Sequence, residues 1–282
     1  MQKITGIKEL KLKANKIRKD IIEMLVEAGS GHSAGPLGMA DVFTALYFNE
    51  MKHNPKEPKW SERDRLILSN AHICPVRYAA MAEADYFPVE ELKTLRKLGT
   101  RLQGHPHNLA LPGIENTGGP LGQGISVAVG VALAGKMDKK DFKVYCLMGD
   151  GEINEGQPWE AFMLAAKNKL DNLIVVIDRN FIQIDGNTEE IMPLNPLDKK
   201  MQAFNFHVIE VNGNNMKEIL EAFEKAKKNK DKPTAIIANT VPGKGVSFME
   251  GKFEWHGKAP NKEEAEKALK ELNEEEKKIR SE

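Results

Sequence analysis

The sequence lacks an excess of charge of either sign and has very few cysteines. Its 282 residues include 41 basic and 41 acidic side chains, so the formal net charge is zero. A nucleic-acid-binding protein needs a basic excess on one face, and we therefore expect no nucleic-acid partner. The two cysteines, Cys74 and Cys146, do not form a disulfide framework, and Cys146 lies in an apolar run. This pattern is typical of a reduced, intracellular protein.

Long hydrophobic runs are also absent. The longest mostly apolar stretch covers residues 125–134, which is too short to span a bilayer. The first 20 residues are charged throughout and have no apolar centre of the kind that a signal peptide contains. We therefore expect a cytoplasmic protein that is not embedded in a membrane.

Several common site motifs are missing. The sequence has no Cys-x-x-Cys or His-x-x-x-His spacing, which argues against a structural zinc site. It has no Walker A sequence, and Lys244 is read as an exposed loop lysine. The glycine-rich run at residues 118–124 lacks the G-x-G-x-x-G order and follows no clear strand. It is therefore not a dinucleotide-binding fingerprint.

The sequence does contain an alternation of apolar, strand-like runs with helical periods. We predict strands at residues 65–69, 144–149, 173–178, 206–211 and 234–239, and helices at residues 7–28, 39–49, 89–98, 119–135 and 216–228. This alternation indicates an α/β fold with a doubly wound, mostly parallel sheet flanked by helices. Residues 30–38 and 99–118 are predicted loops, and loops as long as the second are usually functional. We place one domain at residues 1–260 and a charged, solvated helix at residues 261–282.

The most informative stretch covers residues 144–184 and reads as strand, Gly-Asp-Gly turn, amphipathic helix and second strand. Asp150 follows the first strand and Asn180 the second, so both lie at the carboxyl edge of the sheet if the strands are parallel. Two hard oxygen ligands with exposed backbone N–H groups suit a magnesium-bound diphosphate. Gly149 and Gly151 would let the backbone approach it. Gly-Asp-Gly is also a common turn, so Asp150 alone does not establish a metal site.

Four of the seven histidines lie in glycine-bearing loops or at a strand end: His32, His72, His105 and His256. A lone histidine is more often structural than catalytic. Loops at strand ends carry function, however, and imidazole suits proton transfer near neutral pH. We therefore treat these four as candidate catalytic residues. The others are read as structural: His53, His107 and His207.

Three glutamates follow the Gly-Asp-Gly turn: Glu152, Glu155 and Glu160. The helix dipole favours acidic residues near a helix start, so all three are read as solvent-facing helix residues. Glu152 fits that reading best, and spacing alone assigns no function to Glu155.

Taken in order, these segments resemble the thiamine diphosphate enzymes of the transketolase family. The matching motifs are SGHSAGPLGMAD (30–41), LSNAH (68–72), GHP (104–106), TGGPLGQGI (117–125), GDGEINEG (149–156) and WHG (255–257). They extend over nearly the whole chain up to the charged tail. Several separate motifs in one order are much more specific than a single Gly-Asp-Gly turn. The resemblance implies the diphosphate-binding (PP) domain of the thiamine diphosphate fold.

The resemblance also implies a binding role for each matching residue. By this resemblance, magnesium would be coordinated by Asp150, the Asn180 side chain and the Ile182 backbone carbonyl, together with two diphosphate oxygens. The cofactor would further contact His72, Gly119, Pro120, Leu121, Gly151 and His256.

A catalytic set is implied in the same way. Three histidines bind the donor hydroxyl groups and assist proton transfer: His32, His105 and His256. We add His72, which lies close to the cofactor, and Glu155 to this set. Glu155 and Glu160 match acidic positions that join a glutamate network across the subunit interface of the family.

The implied reaction transfers a two-carbon ketol unit from a ketose phosphate to an aldose phosphate, and the cofactor breaks the C2–C3 bond of the ketose. Long members of the family continue through a pyrimidine-binding domain and a further C-terminal domain. The glutamate that activates the aminopyrimidine and the arginines that hold the sugar phosphate belong there, whereas this sequence stops shortly after His256. Ser33, Ala71 and Lys244-Gly245 also depart from long transketolases. We therefore expect the N-terminal subunit of a split transketolase, which forms a heterotetramer with a separate C-terminal partner.

Two alternatives stay open. A binding or regulatory protein could keep the diphosphate site without catalysis, although the four loop histidines argue against this. The other alternative is a different thiamine enzyme, such as deoxyxylulose phosphate synthase or a transketolase for a modified sugar. Ser30-Gly31-His32 with residues 36–39 favours transketolase over the synthase but leaves an unusual donor sugar open.

Overall fold

The structure, a computed structural model, describes residues 3–282 and is organised around one sheet of five parallel strands. In chain order the strands are β1 (Arg65–Leu68), β2 (Val144–Gly149), β3 (Leu173–Arg179), β4 (Ile182–Gln183), β5 (Gly186–Asn187), β6 (His207–Asn212) and β7 (Thr234–Asn239). The sheet has the order β1-β2-β3-β7-β6, and β4 and β5 form a separate antiparallel hairpin. The predicted doubly wound, parallel sheet is confirmed.

Helices cover both faces of this sheet. In chain order they are α1 (Ile7–Ala28), α2 (Ala34–Gly38), α3 (Ala40–Ala45), α4 (Cys74–Glu83), α5 (Gly124–Met137), α6 (Gly156–Lys167), α7 (Thr188–Ile191), α8 (Leu197–Ala203), α9 (Met216–Lys228) and α10 (Lys262–Ser281). α3 continues as one turn of π-helix, Leu46–Glu50. Within residues 3–282, every helix is too short or too polar to cross a membrane.

The strands are apolar at successive positions because both faces of the sheet are buried. In β3, Ile174 and Val176 belong to the core on one face, whereas Val175 and Ile177 belong to the core on the other. Helices α1, α3, α4 and α9 contribute to the first core, and α5 and α6 contribute to the second. Each fully buried aliphatic side chain stabilises the fold by about 1.5–3 kcal/mol. The continuous apolar run at residues 173–177 follows from this two-sided burial.

The charged helix predicted after residue 261 is present as α10, but it is not wholly solvated. The Asn261 side chain accepts a hydrogen bond from the Glu264 N–H, and the Glu264 side chain accepts one from the Asn261 N–H. This capping box defines the start of the helix. Ala268 and Leu272 are buried, and Asn15 Nδ2 of α1 donates to the Leu272 carbonyl over 2.9 Å. One face of α10 is therefore part of the core.

Three local predictions were wrong. The helix predicted at residues 119–135 begins only at Gly124. Within the predicted loop at residues 30–38, Ala34–Gly38 forms α2. The helix predicted at residues 89–98 is a 3-10 helix, Val89–Thr94, rather than an α-helix. It ends because Leu95 leaves the helical conformation with a ψ of 129°. Arg96 then takes a left-handed conformation with a φ of 60°, and the Arg96 N–H donates to the Leu102 carbonyl over 3.0 Å. The chain turns back on itself there instead of continuing as a helix.

The long loop predicted at residues 99–118 contains no helix or strand and is held against the end of β1. The Asn116 side chain accepts from the Leu68 N–H over 3.1 Å and donates to the Leu68 carbonyl over 3.2 Å. The Gly118 N–H donates to the Pro106 carbonyl over 3.0 Å. A Cβ on Gly118 would lie 2.2 Å from the Ala71 Cβ, so only glycine fits at this position. These contacts place the loop beside the carboxyl end of the sheet.

Candidate active site

A cavity of about 220 Å³ lies at the carboxyl ends of β2 and β3. These strands are parallel neighbours with Gly149 opposite Asp178, so the residues that follow them meet at one edge of the sheet. Asp150 and Asn180 both line the cavity, as the sequence predicts. Further lining residues come from other segments: Asn70, His72, Leu121 and His256.

The Asp150 carboxylate is almost fully buried and accepts several hydrogen bonds. Its Oδ2 atom accepts from the Phe181 N–H at 2.8 Å, from Arg179 Nη1 at 3.0 Å and from the Thr188 hydroxyl at 3.4 Å. Its Oδ1 atom accepts only from the Gly151 N–H, at 2.7 Å. Burial raises the pKa of Asp150, and the positive charge of Arg179 opposes that rise. Oδ1 therefore keeps acceptor capacity for a cation.

Arg179 holds this carboxylate in place, and sequence reasoning missed it. Its guanidinium also pairs with Glu189, donates to Asn195 Oδ1 at 3.2 Å, and lies 4.1 Å from the centre of the Phe181 ring. The side chain is only 2% exposed. Buried arginines are rare unless they are paired, so an arginine at the last position of β3, two residues after its apolar run, is the signal that could have identified it.

Asp178 orients the Asn180 amide. Asn180 Nδ2 donates to Asp178 Oδ2 at 2.9 Å, and Asn180 Oδ1 accepts from the Ile182 N–H at 3.0 Å. Asp178 also accepts a hydrogen bond from the Thr240 hydroxyl, and burial raises the pKa of Asp178 to about 7. The amide oxygen of Asn180 and the backbone of Ile182 are thus brought together at the cavity.

The prediction that Glu152 is a solvent-facing helix residue is wrong. Glu152 is only 3% exposed, and its carboxylate joins three loops. Its Oε1 atom accepts from the Ser69 hydroxyl and from the Gly122 N–H at 2.7 Å, and its Oε2 atom accepts from the Gly149 N–H at 3.0 Å. Burial raises the pKa of Glu152, and these hydrogen bonds oppose the rise. Glu152 therefore fixes the loops after β1, before α5 and at the end of β2 relative to one another.

We expect Glu152→Gln to lower the free energy of unfolding by about 2–3 kcal/mol. All three partners of the Glu152 carboxylate are donors, and the NH2 group of glutamine cannot accept a hydrogen bond from the donor that it faces. Denaturant unfolding followed by circular dichroism measures the change. Glu155→Gln is the matched control, since Glu155 lies nearby but is exposed. It should shift the unfolding free energy by less than about 0.5 kcal/mol. Equal stability of Glu152→Gln and the unchanged protein would contradict the bridging role.

Three of the four predicted catalytic histidines form one cluster. The ring centres of His32 and His72 are 4.9 Å apart, those of His72 and His256 are 5.3 Å apart, and those of His32 and His256 are 5.8 Å apart. The Ser33 hydroxyl donates to the Lys258 carbonyl over 2.7 Å. This bond fixes the segment that carries His256 beside the loop that carries His32.

The cluster is held in the neutral form. Burial lowers the pKa of His72 well below its usual value and also lowers that of His256. Burial lowers the pKa of His32 to about 4, and a proton on His32 would also be repelled by a protonated His256, by Arg96 and by a protonated His105. Neutral imidazoles can accept a proton from a hydroxyl group near pH 7.

His105 lies in a neighbouring open groove and not in the cavity lining. It is exposed, and partial burial and the charge of Arg96 lower its pKa. The structure therefore places His105 beside the cluster rather than within it.

The other predicted residues surround the cavity without all lining it. Leu121 and Gly151 line it, whereas Gly119 and Pro120 lie outside the lining. Glu155 and Glu160 are exposed, at the start and on the surface of α6.

The site has the properties that a polar cofactor requires. Asn70 Oδ1 and His32 Nδ1 are buried and have no hydrogen-bond partner among the described residues. A buried polar atom without a hydrogen-bond partner destabilises the fold unless a ligand supplies that partner. Within residues 3–282, no group of three His, Cys, Asp or Glu side chains could hold a metal ion. Asp150, Asn180 and Ile182 all line the cavity, and carboxylate, amide and carbonyl oxygens are the ligand types that magnesium prefers.

Comparisons with known proteins give matches along nearly the whole chain. Residues 10–280 match the family model described as transketolase, thiamine diphosphate binding domain. The 6-deoxy-6-sulfo-D-fructose transketolase subunit of Clostridium sp. is 47% identical over 267 residues, which cover 95% of this chain and 97% of that protein. An apulose-4-phosphate transketolase subunit of Phocaeicola vulgatus is 42% identical over 268 residues, 95% of either chain.

A solved structure gives the same match in three dimensions. The crystal structure of transketolase from Campylobacter jejuni superposes with a TM-score of 0.90 at 37% identity, over 95% of this chain and 43% of that one. The chain thus spans less than half the length of that transketolase.

Proposed function

The chain belongs to the transketolase family, and we propose that it is the N-terminal, thiamine diphosphate-binding subunit of a split transketolase. With a C-terminal subunit that carries the pyrimidine-binding domain, it transfers a two-carbon ketol unit from a ketose to an aldose. The cavity where Asp150 and Asn180 meet beside three histidines carries this proposal. Two relatives that are named as subunits and match over almost their whole length support the separate partner.

In this proposal one set of residues holds the cofactor. Asp150, the Asn180 side chain and the Ile182 carbonyl bind magnesium, and Gly151 lets the diphosphate approach the backbone. Leu121 lines the thiamine side of the cavity, and Gly119 and Pro120, which precede it in the chain, contact the thiamine from outside the lining. When bound, thiamine diphosphate supplies the carbon nucleophile that breaks the C2–C3 bond of the ketose.

A second set of residues handles the protons of the sugar. His32, His72 and His256 accept protons from the sugar hydroxyl groups as neutral imidazoles and return them to the product. His105 binds a donor hydroxyl group from the side of the open groove.

We further propose a cytoplasmic heterotetramer with two copies of each chain. Both cysteines are buried, free thiols, which suits a reducing compartment. Glu155 and Glu160, exposed on the α6 side, face the interface between subunits.

A modified sugar is a specific second candidate for the substrate. The two subunit relatives are named for 6-deoxy-6-sulfo-D-fructose and for apulose 4-phosphate. One of these sugars carries a sulfonate and the other a phosphate. We therefore propose a sugar with an anionic group at one end, and an ordinary ketose phosphate is one member of that class.

A transfer assay tests the function. The chain is assembled with its partner subunit, thiamine diphosphate and magnesium, and supplied with a panel of phosphorylated and sulfonated ketoses and an aldose acceptor. We expect two-carbon transfer, seen by mass spectrometry, that requires both the cofactor and the metal. Cofactor binding without turnover on any ketose would favour a non-catalytic binding protein instead.

A further inference from the structure

Another cavity, of about 320 Å³, lies at the end of the sheet opposite the candidate active site. Three of its lining residues come just before strands: Lys143 precedes β2, Asn172 precedes β3, and Lys230 lies four residues before β7. Because these strands are parallel neighbours, the three residues meet at the amino edge of the sheet, whereas Asp150 and Asn180 meet at the carboxyl edge. The six residues of β2 separate the two edges by about 20 Å. The cavity is therefore distinct from the site proposed for the cofactor and the sugar.

The lining of this cavity carries an excess of positive charge. It contains five lysines and two acidic side chains, Asp141 and Asp171. Both carboxylates are already paired, since Asp171 lies 3.0 Å from Lys136 Nζ and Asp141 lies 3.4 Å from Lys52 Nζ. The aspartates of the lining therefore do not neutralise its remaining lysines.

Three of the five lysines have no ion-pair partner among residues 3–282: Lys139, Lys143 and Lys230. The other lysine of the lining, Lys140, pairs with Glu62 over 2.8 Å. Lys143 is half-buried, and burial lowers its pKa. Repulsion by the charge of Lys230 lowers that pKa further, while nearby aspartates oppose both effects. Like charges that repel each other in one cavity favour the binding of an anion between them.

Asn172 adds a neutral polar group to the same cavity. Its side chain is only 6% exposed, and its Nδ2 atom donates to the Ala132 carbonyl over 2.9 Å. Its Oδ1 atom is buried and has no hydrogen-bond partner among the described residues. A buried acceptor of this kind requires a donor. The dianion of a phosphate monoester has acceptor atoms only, so the donor must be a hydroxyl group elsewhere on the ligand.

We propose that this cavity binds a small phosphorylated polyol, whose phosphate lies among Lys139, Lys143 and Lys230 and whose hydroxyl group donates to Asn172 Oδ1. Each lysine ammonium offers three N–H donors to the phosphate oxygens. Small-molecule sites have volumes of about 300–1000 Å³, so a cavity near the lower limit suits a ligand of a few carbon atoms. The site is a binding site and adds no step to the proposed ketol transfer.

Calorimetric titration of the full chain with glycerol 3-phosphate tests the proposal, at constant low ionic strength and about pH 8, where the phosphate is a dianion. We expect a Kd below about 1 mM. Propyl phosphate, which has the same length but no hydroxyl group, should bind at least about 5-fold more weakly. Glycerol, which lacks the phosphate, should give no binding heat. A Kd weaker than this limit for glycerol 3-phosphate overturns the proposal, and equal affinity for the two phosphates overturns the contact with Asn172.

Lysine variants locate the phosphate. Lys143→Gln and Lys230→Gln should each raise the Kd for glycerol 3-phosphate by about 5–10-fold. Lys252→Gln is the matched control, because Lys252 is an exposed lysine without an ion-pair partner in the described chain and precedes His256 at the carboxyl edge. It should leave the Kd within about 2-fold. An unchanged Kd in both variants of the cavity would show that the phosphate binds elsewhere and would overturn the assignment.

The same titration in the presence of thiamine diphosphate and magnesium separates this site from the cofactor site. The Kd for glycerol 3-phosphate should change by less than about 2-fold, because the two edges of the sheet are about 20 Å apart. Loss of binding under these conditions would show that glycerol 3-phosphate occupies the cofactor site, and would overturn the inference while leaving the proposed function intact.

Discussion

Asp150→Ala is expected to weaken the magnesium-dependent binding of thiamine diphosphate by at least about 100-fold, because it removes the charged ligand of the proposed metal site. The other two proposed ligands, the Asn180 amide and the Ile182 carbonyl, are neutral. Calorimetric titration of the assembled complex with thiamine diphosphate, with and without magnesium, measures the effect. Without magnesium, the variant and the unchanged protein should bind about equally weakly.

Asp185→Ala is the matched control for this experiment. Asp185 lines the same cavity but is exposed, so its removal deletes a negative charge without deleting a proposed ligand. Solvent screens such a charge, and the affinity should change by less than about 3-fold.

The ion pair with Arg179 requires a second variant. Asp150→Ala leaves the buried Arg179 guanidinium with Glu189 and Asn195 as its remaining partners, which can lower stability. Asp150→Asn preserves the shape of the side chain and one oxygen acceptor but removes the charge that magnesium requires. Magnesium-dependent affinity that is unchanged in both folded variants would show that Asp150 is not a metal ligand.

The place of this site in the fold was predictable from the sequence. The runs at residues 144–148 and 173–177 are apolar at every position, which is typical of strands buried on both faces in a parallel sheet. Parallel neighbouring strands end at the same edge. Asp150 and Asn180 follow those two ends, so their meeting is a consequence of local sequence alone.

The hydrogen bonds that hold the loops around Asp150 in place were not predictable in the same way. Glu152 accepts hydrogen bonds from Ser69 and Gly122, which are 83 and 30 residues away in the chain. An acidic residue is favoured at a helix start whether or not it is buried. The local sequence therefore predicted, wrongly, that Glu152 is exposed to solvent. Only the three-dimensional path of the loops shows that Glu152 faces inward.

The histidine cluster also depends on a contact between residues that are far apart in the sequence. His32 and His256 lie in loops that the Ser33–Lys258 hydrogen bond joins across 225 residues. Composition and periodicity carry no information about such a contact, and only the resemblance to a family placed both histidines at one site. The left-handed turn at Arg96, which follows the end of the 3-10 helix, was equally hidden, because a charged residue of helical propensity normally continues a helix.

The isolated chain is expected to transfer ketol units at least about 1000-fold more slowly than the complex with its partner, because an open site neither excludes water nor holds the reacting groups in place. Two apolar residues of the cavity lining are exposed: Leu121 by 40% and Ile184 by 70%. Other exposed apolar side chains lie on α5, on α6 and around the end of α7: Val127, Met163, Leu164, Ile191 and Met192. Exposed apolar surface of this kind is typical of a face that another chain covers.

A charge placed on this face tests whether the partner covers it. Met163→Lys should raise the Kd for the partner by about 10–100-fold, measured by sedimentation velocity, and should lower activity at limiting partner concentration in proportion. Ile7→Lys is the matched control, because Ile7 is likewise a partly exposed apolar residue but lies on α1, which packs on the other face of the sheet. It should leave the Kd within about 2-fold. Full activity of the isolated chain would contradict the split-subunit proposal itself. A normal Kd for Met163→Lys in an active complex would contradict only the assignment of this face, because a partner that completes the cavity must then approach it from another side.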